Sequence, residues 1–299
     1  MWNALVDRQT GFLNFTSALA AALRKTVVAA VGAGGNGVVV DQLARIGFER
    51  FILIDPDVVE QTNLNRLPFT ISEIGVAKVV AWKSYLQAVN PGCRVAAYPR
   101  SVTRHDASWL KRLLAGADLI FPGTTDLEAN LVVSRICSQL GRRMIVGPSS
   151  SGAYVVSTFT HDNELTLEKV AGFGTEHLEL SDIDYPALKS KYVSLSFYPG
   201  RTRKLYPEVR ESMLVGRLPA RSCKIFVSLT NAAMAFEAVK NVAVMRGLSL
   251  DGTRVVAMPI VHIFDPYSGC AYYYNILDRT IGIPDWLTGE TRWQPYDGD

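Results

Sequence analysis

A glycine-rich turn between an apolar strand and an apolar helix constrains the fold of this chain more than any other feature. Residues 27–31 form a β-branched run, residues 38–48 predict a mostly apolar helix that stops near Gly47, and residues 51–54 predict a second buried strand. The turn follows the pattern GxGGxG, and its glycines are Gly32, Gly34, Gly35 and Gly37. This order of elements predicts the opening unit of a parallel α/β sheet.

The same turn also has a chemical meaning. Glycines let the backbone come within hydrogen-bonding distance of a phosphate, and the positive end of the following helix faces the same anion. Asp55 and Asp57 lie 23 and 25 residues after Gly32, where a carboxylate that binds ribose hydroxyls is expected. The stretch therefore predicts a nucleotide site formed by the four glycines, Asp55 and Asp57.

Strands and helices continue to alternate after this unit. The pattern predicts helices at 74–89, 105–115 and 126–140 and strands at 93–98, 118–121 and 143–146. We therefore expect a Rossmann-like α/β fold, with a mainly parallel sheet and helices on both faces. Residues 153–160 form an extended run with no helix before them, which predicts an antiparallel continuation of the sheet.

The second half of the chain is less regular. Residues 161–222 have no clear period and predict an irregular insertion or crossover segment, and long connections of this kind are usually functional or disordered. A helix is predicted at 224–246, followed by a hairpin of strands 254–264 and 271–277 around the turn 265–269. We expect an N-terminal arm at 1–25, a nucleotide-binding core at 26–160, the segment 161–222, and a C-terminal part at 223–299 that completes the same domain.

Composition narrows the class of protein. The net charge of +3 is too small to predict nucleic-acid binding, and no segment has 18 consecutive apolar residues, so we expect no membrane span. Residues 9–23 are interrupted by polar side chains and predict an amphipathic helix rather than a signal peptide. The cysteines are dispersed without a CxxC pair, which predicts a cytoplasmic protein without structural zinc; they are Cys93, Cys137, Cys223 and Cys270.

Four further motifs occur in a fixed order around the glycine turn. They are Arg8-Gln9 in the N-terminal arm, Asp55-Pro56-Asp57 followed by Asn63-Leu64-Asn65-Arg66, Gly75-Val76-Ala77-Lys78, and Thr124-Thr125-Asp126. In that order and spacing the chain resembles the ThiF/MoeB family of adenylating enzymes, which includes the ubiquitin-activating enzymes. The resemblance covers residues 8–160.

The resemblance implies ATP and Mg²⁺ as cofactors and assigns a role to each motif. The glycines would hold the nucleotide, Asp57 would bind the ribose hydroxyls, and Asp126 would hold magnesium. The residues expected to contact the triphosphate are Asn63, Arg66 and Lys78. Arg8 matches an arginine that reaches into the partner's site in dimers of this family, so the resemblance also implies a homodimer.

The chemistry of adenylation agrees with this set of residues. A carboxylate that attacks the α-phosphate of ATP is an anion approaching a polyanion, so positive groups and a metal must neutralise the charge as pyrophosphate leaves. Each residue alone also has a structural interpretation. Asp57 is suited to a turn, Lys78 to a solvated helix face, Asp126 to a helix N-cap and Arg66 to a surface salt bridge.

Departures from the family pattern narrow the expected function. The zinc-binding CxxC pairs of the sulfur-carrier activators are missing, and Cys223 is the one candidate for a thioester-forming cysteine; the alternative interpretation is a small residue at the start of a buried helix. Relatives without these cysteines include enzymes of the microcin and pantocin type, which adenylate a carboxyl or amide group of a small peptide. The aromatic and basic stretch 191–206 is then either a peptide-docking surface or a solvated loop.

We therefore expect adenylation of a peptide or small protein during maturation of a ribosomally made peptide natural product. Activation of a sulfur-carrier or ubiquitin-like protein is the alternative. Two other classes are an NAD-dependent oxidoreductase, for which the sequence shows no proton-transfer residue, and a non-catalytic partner-binding subunit. The presence of Arg66, Lys78 and Asp126 argues against a non-catalytic partner-binding subunit.

Overall fold

The structure is a computed structural model of the chain. It describes residues 7–10, 15–35, 37–148, 154–162, 164–188, 211–212, 217, 223–250, 253–285, 287–288 and 290–296.

Strands and helices alternate through the first half of the described chain. The elements are α1 (Ser17–Lys25), β1 (Val27–Val31), α2 (Gly37–Arg45), β2 (Arg50–Ile54), α3 (Lys78–Val89), β3 (Arg94–Tyr98), α4 (Ala107–Leu114), β4 (Leu119–Pro122), α5 (Leu127–Leu140) and β5 (Arg143–Val146). The second half contains β6 (Tyr154–Phe159), α6 (Leu167–Ala171), α7 (Lys224–Met245), β7 (Ile260–Asp265), β8 (Cys270–Asn275), β9 (Thr280–Pro284) and β10 (Thr291–Pro295).

All these strands join in one ten-stranded sheet with the order β10-β9-β8-β7-β6-β5-β4-β1-β2-β3. Strands β5, β4, β1, β2 and β3 are parallel to one another, and every pairing from β5–β6 to β9–β10 is antiparallel. The predicted fold class is confirmed, including the antiparallel continuation and the hairpin around 265–269. Strands β2 and β3 lie on one side of β1, and strands β4 and β5 lie on the other. A topological switch point therefore lies between β1 and β4, where ligands of open α/β sheets usually bind.

Helices cover both faces of the parallel strands, which explains why those strands are mainly apolar. On one face Val28 and Ala30 of β1 pack with α1, α2, α3 and α7. On the other face Ala29 and Val31 pack with α4, α5 and α6. Alternate residues of β1 thus enter separate cores, and the strand is nearly inaccessible to solvent along its length.

Several boundaries differ from the sequence-based prediction. Helix α3 begins at Lys78 because Gly75 has φ +87° and its amide donates to Val59 O at 2.9 Å, which keeps the preceding residues out of the helix. The strand predicted from 254 begins only at Ile260, because side chains of α7 bind the preceding backbone. Lys240 Nζ donates to Arg254 O at 2.9 Å, and the Val256 amide donates to Glu237 Oε1 at 2.7 Å. Strands β9 and β10 were not predicted.

Residues 164–188, within the segment 161–222, pack against the core. Residues 164–188 contain helix α6 and a 3-10 turn at 180–182, and Leu167, Phe173 and Ile183 are buried against the α5 face of the sheet. Arg135 of α5 forms a bidentate pair with Glu168 of α6. This stretch is therefore part of the same packed body as the parallel sheet.

Candidate active site

Two loops at the carboxyl edge of the sheet touch at Gly32. This residue has φ +95°, and a Cβ added to it would lie 2.6 Å from the carbonyl carbon of Gly123 and 2.7 Å from the Thr124 nitrogen. Any side chain would therefore push the β1–α2 turn away from the β4–α5 loop. Glycine at this position lets the two loops meet at the switch point.

The glycine turn is held by buried side chains from three other elements. Asp55, after β2, accepts a hydrogen bond from Ala33 N at 2.6 Å. Trp82 of α3 donates from Nε1 to Ala33 O at 2.8 Å, and Asn231 of α7 donates from Nδ2 to Gly35 O at 3.0 Å. A Cβ on Gly37 would lie 2.5 Å from the Cε2 atom of Trp82, so this glycine is required for packing.

The opposite side of the turn is open. Among the residues that the structure describes, a Cβ added to Gly34 or Gly35 would meet no heavy atom within 4 Å. These two glycines therefore leave the backbone accessible from one side, while Trp82 and Asn231 fill the other. A ligand on the open side would also face the N-terminus of α2, where the helix dipole favours negative charge.

Asp55 lies behind the turn. Its carboxylate accepts from Ala33 N and, through Oδ1, from Asp57 N at 2.9 Å. Burial raises the pKa of Asp55, while these two hydrogen bonds and the positive charge of Lys78 act in the opposite direction. Its oxygens are thus engaged with the backbone, and the residue joins the glycine turn to the loop after β2.

Asp57 and Lys78 form an ion pair at the start of α3. Lys78 Nζ lies 2.7 Å from Asp57 Oδ2, and the Lys78 amide donates to Asp57 O at 2.9 Å. The Lys78 side chain is buried and that of Asp57 is exposed. A lysine is seldom buried without a partner, so Asp57 is what allows this charge to lie at the edge of the core.

The loop between β2 and α3 also carries Asn63 and Arg66. Asn63 is buried and accepts from Glu60 N at 3.2 Å, which closes a 3-10 turn. Arg66 donates from Nη1 to Thr62 O and Asn65 Oδ1, both at 2.9 Å. Burial lowers the pKa of Arg66, and the charge of Glu60 opposes this effect. The guanidinium is thereby oriented by its own loop.

Asp126 is exposed and caps helix α5. Its Oδ1 accepts from Ala129 N at 3.2 Å, and its amide donates to Thr124 Oγ1 at 3.0 Å. Within the described ranges no cluster of three or more His, Cys, Asp or Glu side chains is placed to hold a metal. Mg²⁺ is usually bound by one or two carboxylates together with substrate phosphates, and a single exposed carboxylate beside an anion site fits that mode.

Arg8 lies away from the other predicted site residues. It is exposed in a 3-10 turn, Asp7–Gln9, and the neighbouring Gln9 donates from Nε2 to Ile46 O at 2.8 Å. Ile46 follows the C-terminus of α2, whereas the glycine turn precedes its N-terminus. Nine helical residues correspond to about 13 Å at 1.5 Å per residue, so the arm contacts the end of α2 opposite the glycine turn.

The four cysteines differ in accessibility. Burial raises the pKa of the Cys93 thiol to about 12 and also raises that of Cys137, which suits inert core residues. Cys270 is exposed in the β7–β8 hairpin. Cys223 is partly exposed at the N-cap position of α7.

Sequence reasoning missed three residues that shape the site, namely Trp82, Lys224 and Asn231. Lys224 donates from Nζ to Arg66 O at 3.1 Å. Asn231 carried a signal in the sequence, because a polar residue within an apolar helix needs a hydrogen-bonding partner if it is buried. No sequence pattern distinguishes Trp82 from an ordinary core residue.

Among the helices that the structure describes, none combines the length and the apolar character needed to cross a membrane.

The switch-point sheet and its braced glycine turn define an α/β protein of the nucleotide-binding class. A family model described as "ThiF family" matches residues 6–173 of the 299-residue chain and narrows the class of protein. The chain therefore belongs to the ThiF family, and the resemblance predicted from the motifs is confirmed.

Curated relatives match less than half of the chain. Ubiquitin-like modifier-activating enzyme 5 of Bombyx mori is 33% identical over 140 residues, which cover 44% of this chain and 36% of that protein. The same enzyme of Oryza sativa subsp. japonica is 33% identical over 131 residues, covering 40% of this chain and 31% of that protein. The chain thus spans about a third of the length of the curated relatives it matches.

Solved structures resemble nearly the whole chain. A structure of PaaA has a TM-score of 0.62 at 18% identity and covers 91% of this chain and 68% of its own. E. coli MccB with ATP has a TM-score of 0.62 at 17% identity and covers 86% of this chain and 66% of its own. At these identities the likeness shows the fold.

Proposed function

We propose that this chain adenylates a carboxylate of a peptide or small protein with ATP and Mg²⁺ and releases pyrophosphate. The main support for the proposal is the geometry of the glycine turn and the Lys78 ion pair. The glycine turn is braced from behind by Asp55, Trp82 and Asn231, is open in front, and has the buried Lys78 ion pair on the adjoining loop. This is a rigid anion site with a positive group supplied beside it.

ATP fits this arrangement with its phosphates on the open side of Gly34 and Gly35, at the N-terminus of α2. Asp57, on the loop after β2, would bind the ribose hydroxyls, as the resemblance implies. The residues proposed to contact the triphosphate are Asn63, Arg66 and Lys78. Asp126 would hold Mg²⁺ together with phosphate oxygens, which accords with its exposed carboxylate.

The reaction needs no nucleophile from the protein. An oxygen of the substrate carboxylate attacks the α-phosphorus, the bond from that phosphorus to the bridging oxygen breaks, and pyrophosphate leaves with the electron pair. The protein's task is to neutralise the growing charge on the phosphates, which Lys78, Arg66 and the Asp126-bound metal would share. Arg8 would join them from a second subunit of a homodimer, since it lies at the far end of α2 from its own glycine turn.

A peptide substrate is favoured by the structural neighbours. E. coli MccB resembles 86% of this chain and has been solved with AMPCPP and MccA. It is described as a microcin C7 biosynthetic enzyme. We therefore infer a role in maturation of a peptide natural product in the cytoplasm. The stretch 191–206, predicted as either a docking surface or a solvated loop, lies outside the described residues.

Activation of a ubiquitin-like protein is the second candidate. It is favoured by the identity of 33% to ubiquitin-like modifier-activating enzyme 5 over 140 residues of the Bombyx mori protein and 131 residues of the Oryza sativa protein. The two candidates differ at Cys223. A thioester carried by that cysteine, seen as a reductant-sensitive adduct that disappears in Cys223→Ala, would favour the second candidate.

The decisive measurement is exchange of labelled pyrophosphate into ATP in the presence of candidate peptides and small proteins encoded near this gene. Exchange that depends on both Mg²⁺ and the substrate is expected. Tight NADH binding without ATP binding would point to an oxidoreductase instead, and no nucleotide binding at millimolar ATP would point to a non-catalytic subunit. Mass spectrometry of the products then identifies the acyl group.

A further inference from the structure

We propose that Asn231 is the positioning residue that fixes the glycine turn for ATP and couples the turn to helix α7. The inference rests on the proposed nucleotide site. Helix α7 begins where the segment 161–222 ends, so this residue links the nucleotide site to the element that follows the proposed substrate segment.

The side chain of Asn231 makes two donor bonds. Nδ2 donates to Gly35 O at 3.0 Å and to Val227 O, one turn back on α7, at 2.6 Å. Rotating the amide by 180° would place its oxygen against both carbonyl oxygens, so the hydrogen-bond pattern assigns the orientation. Asn231 is 2% exposed, which keeps water from competing for these bonds.

The bond to Gly35 acts on the start of α2. Gly35 O also accepts from Val38 N at 3.2 Å, and Gly34 O accepts from Gly37 N at 3.0 Å. These are the first bonds of the helix that would face the phosphates. By holding Gly35 O, Asn231 fixes the direction in which the first turn of α2 presents its N–H groups.

Helix α7 reaches other loops of the same edge. Lys224 at its first turn donates to Arg66 O at 3.1 Å, on the loop after β2. Met234 lies against Gly147, after β5, where an added Cβ would come 2.6 Å from Met234 Cγ. One rigid helix thus contacts the loops that follow β1, β2 and β5, so a ligand that moves one loop displaces the helix relative to the others.

Two buried polar atoms near the Asn231 amide lack hydrogen bonds to the described residues, which costs free energy of folding. Asn231 Oδ1 and the adjacent Thr230 Oγ1 are buried without a hydrogen-bond partner among the residues that the structure describes. Such groups are rare in native structures and tend to mark functional positions. An apolar residue would pack at this position without that penalty but could not hold Gly35 O.

The test compares two asparagines on the same helix. Asn241 is also buried, also donates to the carbonyl four residues back, Glu237 O at 2.9 Å, and binds Thr158 Oγ1 of β6 at 3.0 Å instead of a nucleotide loop. In pyrophosphate exchange, Asn231→Ala should raise the KM for ATP about three- to tenfold with little change in kcat, as expected for one lost hydrogen bond. Asn241→Ala also removes the acceptor of a 2.9 Å hydrogen bond from Arg143 Nη1, so it should lower the melting temperature at least as much and leave the KM unchanged.

An unchanged KM in Asn231→Ala, or an equal rise in both variants, would overturn the inference while leaving the adenylation proposal standing. A wild-type chain that binds no ATP would overturn both. Hydrogen exchange on the wild-type chain decides the question if Asn231→Ala does not fold. Added ATP should then slow exchange in both the glycine turn and residues 224–234, and protection of the turn alone would contradict the coupling.

Discussion

Lys78 is a nearly buried cation whose partner, Asp57, is mostly in solvent. The Nζ and Oδ2 atoms are 2.7 Å apart, with side-chain exposures of 8% for the lysine and 60% for the aspartate. The carboxylate is therefore the more accessible member of the pair. In the proposed function, a phosphate at this edge of the sheet would replace Asp57 as the partner of Lys78.

Loss of the Lys78 charge should therefore affect catalysis more than folding. We expect Lys78→Ala to slow pyrophosphate exchange about a hundred- to a thousandfold, as for removal of one electrostatic contact in an oxyanion hole. Lys83→Ala, at an exposed position of the same helix, is the matched control and should retain wild-type exchange. Equal rates in the two variants would remove Lys78 from the site.

The two roles of Asp126 can be separated by substitution. Asparagine caps a helix as well as aspartate does but is a poor magnesium ligand, whereas alanine does neither. Asp126→Asn should keep the wild-type melting temperature and lose exchange, and Asp126→Ala should lose exchange and about 1 kcal/mol of stability. Full exchange in Asp126→Asn would show that the carboxylate is only a helix cap.

The location of Arg8 predicts complementation between subunits. Because the arm contacts Ile46 at the far end of α2, each site of a homodimer would use the partner's arginine. Arg8→Ala and Asp126→Ala chains should each be impaired, and mixed dimers should recover activity through the one site that carries neither substitution. Lack of recovery in mixed dimers verified by mass would contradict the arrangement in trans.

The pair of Arg135 and Glu168 should be a main anchor of residues 164–188. Glu168 is buried, and Arg135 also donates to Leu178 O at 2.6 Å and Thr175 O at 2.7 Å. Arg135→Ala should cost about 3–5 kcal/mol in urea unfolding, because it leaves a buried carboxylate unpaired. Arg45→Ala, which removes a helical surface pair with Asp41, should cost about 0.3–0.5 kcal/mol. Similar losses in the two variants would refute the anchor.

His262 should make stability depend on pH. Burial, and then the charge of Lys240, lower the pKa of His262 to about 4, while an unfolded chain binds the proton near the ordinary value of about 6.5. Between these values the unfolded state holds more protons, so stability falls as the pH decreases from about 6.5 to about 4. The melting temperature of His262→Phe should fall less than that of the wild type over this range. Parallel curves for the two proteins would exclude this titration.

Local pattern predicted the parallel half of the fold well, because the central strands β1 and β4 are buried on both faces and the helices have apolar faces. It failed where a distant element decides the outcome. Residues 254–256 have the composition of a strand, yet Glu237 and Lys240 of α7 take two of their backbone hydrogen bonds. Helix α3 begins only at Lys78, because Gly75 has φ +87° and donates its amide to Val59 O at 2.9 Å.

The sequence by itself determined the ThiF-type glycine turn, the parallel core and the set of charged motifs, because these depend on residue type and spacing along the chain. Only the tertiary structure decided how the set is arranged. It placed Asp55 behind the turn, buried Lys78 against an exposed Asp57, and put Arg8 at the opposite end of α2. Trp82 and Asn231 entered the site for the same reason, since a hydrogen bond to the carbonyl of Ala33 or Gly35, 49 or 196 residues away, leaves no trace in local pattern.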